Sequence, residues 1–221
     1  MRNGGPPVTE LPARENRAFL QRAVRFLAEE ARVDQFLDIG AGLPTAGNTH
    51  EIAQRRVPHA RVVYVDNDPK VGVHARKLLT GTATYIEEDL RNPGAILDHP
   101  LLKETLDLNR PVGLILIAVL HLLPDHARAR EIVRELLAAL PSGSYLAATN
   151  VTLDHGVPGE PATVPGGGRP RSRAEFAEFF TGLGLIGPGI VPVSEWLPEV
   201  PAHQRPAPEQ VAVYGAVGRK P

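Results

Sequence analysis

Three aspartates stand where chemistry could gather. The runs "QFLDIG", "RVVYVDND" and "YIEEDLRNP" are short apolar stretches ending in Asp38, Asp66 and Asp89. After the first come Gly40, Ala41 and Gly42. Glycines between a strand and a helix let the backbone turn sharply and approach a ligand closely. Asp66 lies 24 residues beyond Gly42, and a carboxylate at that place can accept both hydroxyls of a ribose. Asp89 could accept from an adenine amino group, with the backbone N–H of Leu90 donating to the ring. Taken singly, Asp66 and Asp89 have a helix cap or a solvated turn acid as the alternative reading. Three strands in succession ending in an acid make one acidic rim, a more specific pattern than any member.

The glycine turn excludes one ligand class. A dinucleotide site calls for GxGxxG, and "GAGLPT" has Thr45 in place of the third glycine. Pro44 has no N–H to offer a pyrophosphate, and Asp38 would put negative charge beside it. A cofactor without phosphates suits this turn better. S-adenosylmethionine is one, and its cationic amino-acid tail matches a carboxylate such as Asp38.

Elements that could hold these residues alternate along the chain. Leu20, Ala23, Val24, Leu27 and Ala31 recur at helical spacing within Pro12–Ala31. Strands are expected at Gln35–Ile39, Arg61–Val65, Ala83–Glu87, Val112–Val119 and Ser144–Thr149. Helices are expected at Asn48–Arg56, Pro69–Leu79 and Asp125–Leu140, with a looser helical stretch reaching Lys103. Asn48 or Thr49 could cap the second helix, and Asp125 the one that follows the fourth strand. Such alternation, with strands apolar throughout, predicts a parallel sheet covered on both faces. Ser172 and Glu175 form a capping box for "RAEFAEFF". Two late strands are expected, Gly189–Val193 and Gln210–Val217. The Gly- and Pro-rich segment Asp154–Arg171 reads as a flexible loop or as a substrate loop. Residues 1–11 read as a flexible tail, and 12–221 as a single domain.

The 221 residues are 43% apolar with a net charge of -1. That suits one sizeable core and lacks the basic footprint of a nucleic-acid protein. With no cysteine in the chain, disulfides and thiolate metal sites are excluded and a reducing cytosol is permitted. "MRNGGPPVTELP" has no apolar signal segment, and "VGLILIAVLHLL" is too short to span a bilayer. The expectation is a soluble cytoplasmic protein with no nucleic-acid or membrane partner; a homodimer stays open.

Longer segments carry a family resemblance. "ARENRAFLQRAVRFLAEE", "QFLDIGAGLPT", "ARVVYVDNDP", "EEDLRNPGAIL", "RPVGLILIAVLHLLPD" and "RSRAEFAEFFTGLGLIGPGIVPV" resemble, in order, an actinomycete family of S-adenosylmethionine-dependent methyltransferases formerly known as a domain of unknown function. The resemblance covers about residues 12 to 217. It implies an α/β, Rossmann-like class I methyltransferase fold: seven strands, mostly parallel, the last one antiparallel. It also implies cofactor contacts from Asp38, Gly40, Ala41, Gly42, Asp66, Asn67, Asp89, Leu90, Ala118 and His121, and a small-molecule acceptor. Two departures stand out. Family members carry a Tyr-rich, Gly-Gly-Lys-Asp-type segment before the first helix, where this chain has "MRNGGPPVTELPARENR". "TNVTLDH" stands where a Ser-His pair is expected. The alternative resting on the first departure is a protein that binds the cofactor without transferring its methyl group. A nucleotide-dependent dehydrogenase is the second alternative.

Methyl transfer from a sulfonium needs alignment more than acid–base groups or a metal. His121 in "AVLHLLPD" could act as a base, touch cofactor or substrate, or simply pack. Asn16 and Arg17 form either a solvated helix face or a lid touching cofactor or substrate. The eight histidines show no metal-ligand spacing. Trp196 reads as core or dimer packing, with a substrate-stacking wall as the alternative.

Overall fold

A computed structural model describes residues 10–43, 47–78, 82–155 and 168–221. Helix α1 (Glu10–Glu29) leads into strand β1 (Gln35–Ile39), helix α2 (Thr49–Gln54), strand β2 (Arg61–Asp66), helix α3 (Pro69–Leu78) and strand β3 (Ala83–Glu87). Two short helices follow, α4 (Pro93–Asp98) and α5 (Pro100–Thr105). They replace the single looser stretch expected from the sequence. Pro100 disfavours helical backbone at the residue before it, and His99 is accordingly extended at φ -62, ψ 129. Next come β4 (Gly113–Leu116), α6 (His126–Ala138), β5 (Tyr145–Val151), α7 (Arg173–Ala177), β6 (Gly184–Leu185), β7 (Val191–Pro192), α8 (Pro208–Val211) and β8 (Val213–Arg219).

The sheet order is β3-β2-β1-β4-β5-β8-β6, with β7 also paired to β8. Strands β1 to β5 run parallel, and β8 is antiparallel to β5. The two-residue strands β6 and β7 lie end to end along β8. They occupy one edge position, which reconciles eight strands with the expected seven. From β1 the chain winds outward to β3, then returns to β4 on the other side of β1. That reversal is the switch point where open α/β sheets bind ligands.

Alternate residues of each strand enter two cores. Leu37, Val63, Leu114 and Leu146 point to the face covered by α4 to α7. Phe36, Val62, Ile115 and Ala147 point to the face covered by α1, α2 and α8. Both faces are apolar, so the strands carry no polar alternation. The apolar stripe of α1 is buried as its spacing predicts, though the helix starts at Glu10 rather than Pro12. Trp196 is fully buried, edge-on to Phe19 and Phe26. Its place is the core, and it forms no substrate wall.

Most element ends differ from expectation by one or two residues, and three strands differ by more. Strand β4 stops at Leu116 because Ala118 takes a left-handed conformation, φ 57. The late strand starts at Val213; Pro208 at the first helical position and Gln210 three residues after Ala207 make a short helix instead. The other late strand, expected at Gly189–Val193, shortens to β7 (Val191–Pro192), and β6 (Gly184–Leu185) is an addition to the expected set. Asp125 does cap α6, accepting from Arg128 N–H, and the Ser172–Glu175 capping box is formed. Of the tail expected over residues 1–11, Glu10 and Leu11 belong to α1 and the rest lies outside the described residues, as does most of the loop expected over Asp154–Arg171.

Candidate active site

A cavity of about 600 Å³ opens at the switch point, over the carboxyl ends of β1 to β4. That volume is in the range of small-molecule sites. Asp38, Gly40, Ala41, Gly42, Asp66, Asn67, Asp89, Leu90 and Ala118 all line it, and α1 contributes Asn16 and Arg17.

Two glycines of the first turn serve different needs. Gly40 has φ 78 and its N–H donates to Val65 O at 2.8 Å, which pins the turn to the end of β2. A Cβ on Gly40 would stand 2.7 Å from the Val119 side chain. Its small size is therefore required by the opposite wall. Gly42 has φ 64 and open space where a Cβ would be; its N–H donates to Asp66 Oδ2 at 2.8 Å. Pro44 and Thr45 lie outside the described residues.

Each acid of the rim has its own environment. Asp38 is buried and its Oδ2 accepts from the Thr49 hydroxyl at 2.6 Å. Burial pushes its carboxyl up to about 6; the Thr49 hydrogen bond and Arg17 pull the other way. Thr49 therefore orients Asp38 instead of capping α2. Asn48 occupies the cap position, but its side-chain oxygen accepts from Arg17 Nη2 at 2.8 Å. Asp66 accepts from the N–H groups of Gly42 and Asp68, one on each oxygen. Carboxylate oxygens have two acceptor sites each, so capacity for hydroxyl donors remains. Asp89 is gripped by Arg91 and by Asn67 Nδ2, the latter at 2.8 Å. The Arg91 hydrogen bond above all holds its carboxyl well below the usual range. Leu90 packs its side chain inward.

Facing this rim, Asn16 is about nine-tenths buried, and its Oδ1 has no hydrogen-bond partner among the described residues. An unpaired buried amide oxygen on a cavity wall is costly unless something fills it. The remaining wall follows β4: Ile117, Ala118, Val119, Leu122 and Leu123. Ala118 N–H donates to Thr149 Oγ1 at 3.0 Å, which steadies its left-handed turn.

His121 does not line the cavity. It is half-buried against Gly168, and its Nδ1 has no hydrogen-bond partner among the described residues. Burial, and secondarily Arg171, lowers its pKa, which favours the uncharged ring. Among the described residues no cluster of three His, Asp or Glu could hold a metal ion. No helix among the described residues is long and apolar enough to cross a membrane. Sequence reasoning missed Thr49, Arg91 and Arg171. Thr49 had a local signal, being a hydroxyl opposite a strand-end acid. Arg171 had none.

A family model described as S-adenosyl methyltransferase matches residues 5–221. The chain belongs to that family. Its activity class is methyl transfer from S-adenosylmethionine, and the dehydrogenase reading is set aside. Among solved structures, a DUF574 family protein from Streptomyces avermitilis is 47% identical, with TM-score 0.87 over 94% of this chain and 83% of that one. A protein provisionally named a methyltransferase, from Thermobifida fusca, is 37% identical, with TM-score 0.88 over 97% of this chain and 83% of that one. The N-methyltransferase NodS from Bradyrhizobium japonicum, solved with S-adenosylhomocysteine, shares the fold at 16% identity and TM-score 0.56, over 94% of this chain and 87% of that one. Comparison with curated proteins gives no match.

Proposed function

We propose that the cavity over β1 to β4 holds S-adenosylmethionine and presents its methyl group to a small-molecule acceptor. The observation carrying this reading is the convergence, on one cavity, of three strand-end carboxylates and an unpaired Asn16 oxygen. The residues fit the cofactor group by group. Asp66 accepts from the ribose hydroxyls. Asp89 accepts from the adenine amino group, sharing its oxygens with Arg91, while Leu90 N–H donates to the ring. Asn67 tethers Asp89. Asp38 and Asn16 Oδ1 accept from the ammonium, and the Arg17 guanidinium donates to the carboxylate, for which its planar fork is suited. Gly40, Ala41, Gly42 and Ala118 give backbone shape to the walls.

When bound, the cofactor supplies an electrophilic methyl group on a sulfonium. The chain's own contribution is to orient, to exclude water and to keep the acceptor in line. The apolar wall of Ile117, Val119, Leu122 and Leu123 serves the second task. His121 is not among the residues that line the cavity, so no proton-transfer role is assigned to it. With -1 net charge, a nucleic-acid acceptor is disfavoured, and the absence of cysteine fits a cytoplasmic enzyme.

The test is transfer of labelled methyl from S-adenosylmethionine across a panel of amines, phenols and carboxylic acids. Label in a small-molecule product supports the proposal. Cofactor binding without transfer to any member favours a binding protein.

A further inference from the structure

Arg171 is fully buried, yet among the described residues no carboxylate lies within ion-pair distance of it; nearby Glu175 is paired with Arg169. Burial lowers its pKa to about 10, so it remains charged. Its donors go elsewhere. Nη1 donates to Leu120 O at 2.8 Å and to Asn150 Oδ1 at 2.9 Å. Nη2 donates to Leu123 O at 2.7 Å, and Nε to His126 Nδ1 at 3.0 Å. The guanidinium also stands over the Phe179 ring, 5.2 Å from its centre. Arg169 adds two bonds: its backbone N–H donates to His121 O at 2.7 Å and its Nη1 to Pro124 O at 3.1 Å.

Thus the carbonyls of Leu120, His121, Leu123 and Pro124 all accept from two arginines that lie 45 or more residues downstream. This stretch is not a regular strand or α-helix; it is a single 3-10 turn, Leu120–Leu122. It also carries the cavity wall, since Val119, Leu122 and Leu123 face the cavity. At its upstream end the wall is fixed by the Thr149 hydroxyl on Ala118 N–H. Replacing buried charged groups by well-packed apolar side chains of similar volume is often neutral or stabilising. Stability alone therefore does not account for an arginine here. What the guanidinium provides is a rigid planar fork that satisfies several acceptors in one fixed arrangement.

We infer that Arg171 is a positioning residue for the donor site: with Arg169 it clamps the 120–124 segment and so sets the shape of the wall that faces the cofactor. This rests on the cavity being the cofactor site. His126 must present an unprotonated Nδ1 to Arg171 Nε, because that group can only donate.

The test uses Arg171→Met, which keeps an unbranched apolar stem and removes every side-chain donor; Arg171→Lys, which keeps the charge but not the fork; and Arg169→Ala. S-adenosylhomocysteine is titrated into each by calorimetry below its melting transition, and amide exchange is followed at Leu122 and Leu123, whose N–H groups close the turn onto Val119 O and Leu120 O. Arg171→Met should weaken binding roughly tenfold or more, since small misplacements of a binding wall are costly. Arg171→Lys should fall about threefold below wild type, with faster exchange at both amides in each Arg171 variant. Arg169→Ala keeps its backbone bond and should lose about twofold. A folded Arg171→Met with wild-type affinity and protection overturns the inference. If Arg171→Met does not fold, an Arg171→Lys protein indistinguishable from wild type overturns it. If wild type binds no S-adenosylhomocysteine, the proposed function fails; the exchange data then decide the clamp separately.

Discussion

The two sides of the cavity are built in different ways. The β1 to β3 side is made of side chains at strand ends: Asp38, Asp66 and Asp89, each placed by its own strand and the turn after it. The β4 side is made of backbone shape. Ala118 turns left-handed, Val119 packs against Gly40, and Leu122 and Leu123 follow on a turn held by arginines up to 51 residues away. In the proposed site the first side recognises polar groups, and the second excludes water and sets a contour. Group recognition can be local in sequence because one carboxylate needs one strand end. A contour in irregular backbone cannot, because its carbonyls must find donors wherever the fold supplies them.

If the first side is the recognising one, Asp66→Ala should have the largest effect. It removes the ribose acceptor and frees Gly42 N–H, and S-adenosylhomocysteine affinity should fall about a hundredfold by calorimetry. Gly40→Ala probes the contact between the two sides. Its Cβ would meet Val119 at 2.7 Å in a backbone of φ 78, at a cost of about 2–3 kcal/mol in urea unfolding. Val119→Ala in the same chain should recover part of that loss, and full additivity would separate the sides.

Asp38 gives a pH signature of two opposite signs. Its folded pKa of about 6 lies above the ordinary value because of burial. The stability it contributes is present in full below the ordinary carboxylate range and is lost as pH rises through about 6. Ligand binding runs the other way, since an ammonium needs the anion. Affinity for S-adenosylhomocysteine should rise roughly tenfold between about pH 5 and 7, while thermal stability of the ligand-free protein falls across the same window. Parallel changes would remove Asp38 from the ammonium. The smallest effect belongs to Arg91→Ala. Arg91 is an exposed partner of Asp89, and its loss should leave affinity within about threefold.

Much of the fold was legible because strands buried on both faces read as apolar runs. β1 and β3 match their expected ranges, and β2 extends one residue further, to Asp66. The overrun predicted for β4 has a physical reason. "LILIAVL" is apolar throughout, and nothing in residue type announces that Ala118 departs from extended backbone. Likewise, "PEQVAVYG" reads as strand by β-propensity, yet Pro208 and the Gln210 side chain stabilise one helical turn first. At the cavity, the acids and glycines were readable, but the reason for Gly40 was not. Its constraint is Val119, far along the chain. Arg171 sat at the end of a Gly- and Pro-rich stretch, where sequence signals a loop and hides a buried clamp.

Uptake of the methyl donor by this cavity is what every other role depends on. It is tested by a calorimetric titration of S-adenosylhomocysteine into the wild-type chain, with NAD as the comparison ligand. Saturable binding of one S-adenosylhomocysteine per chain and no heat from NAD is the expected result. A folded protein that binds NAD, or that gives no heat with S-adenosylhomocysteine, contradicts it.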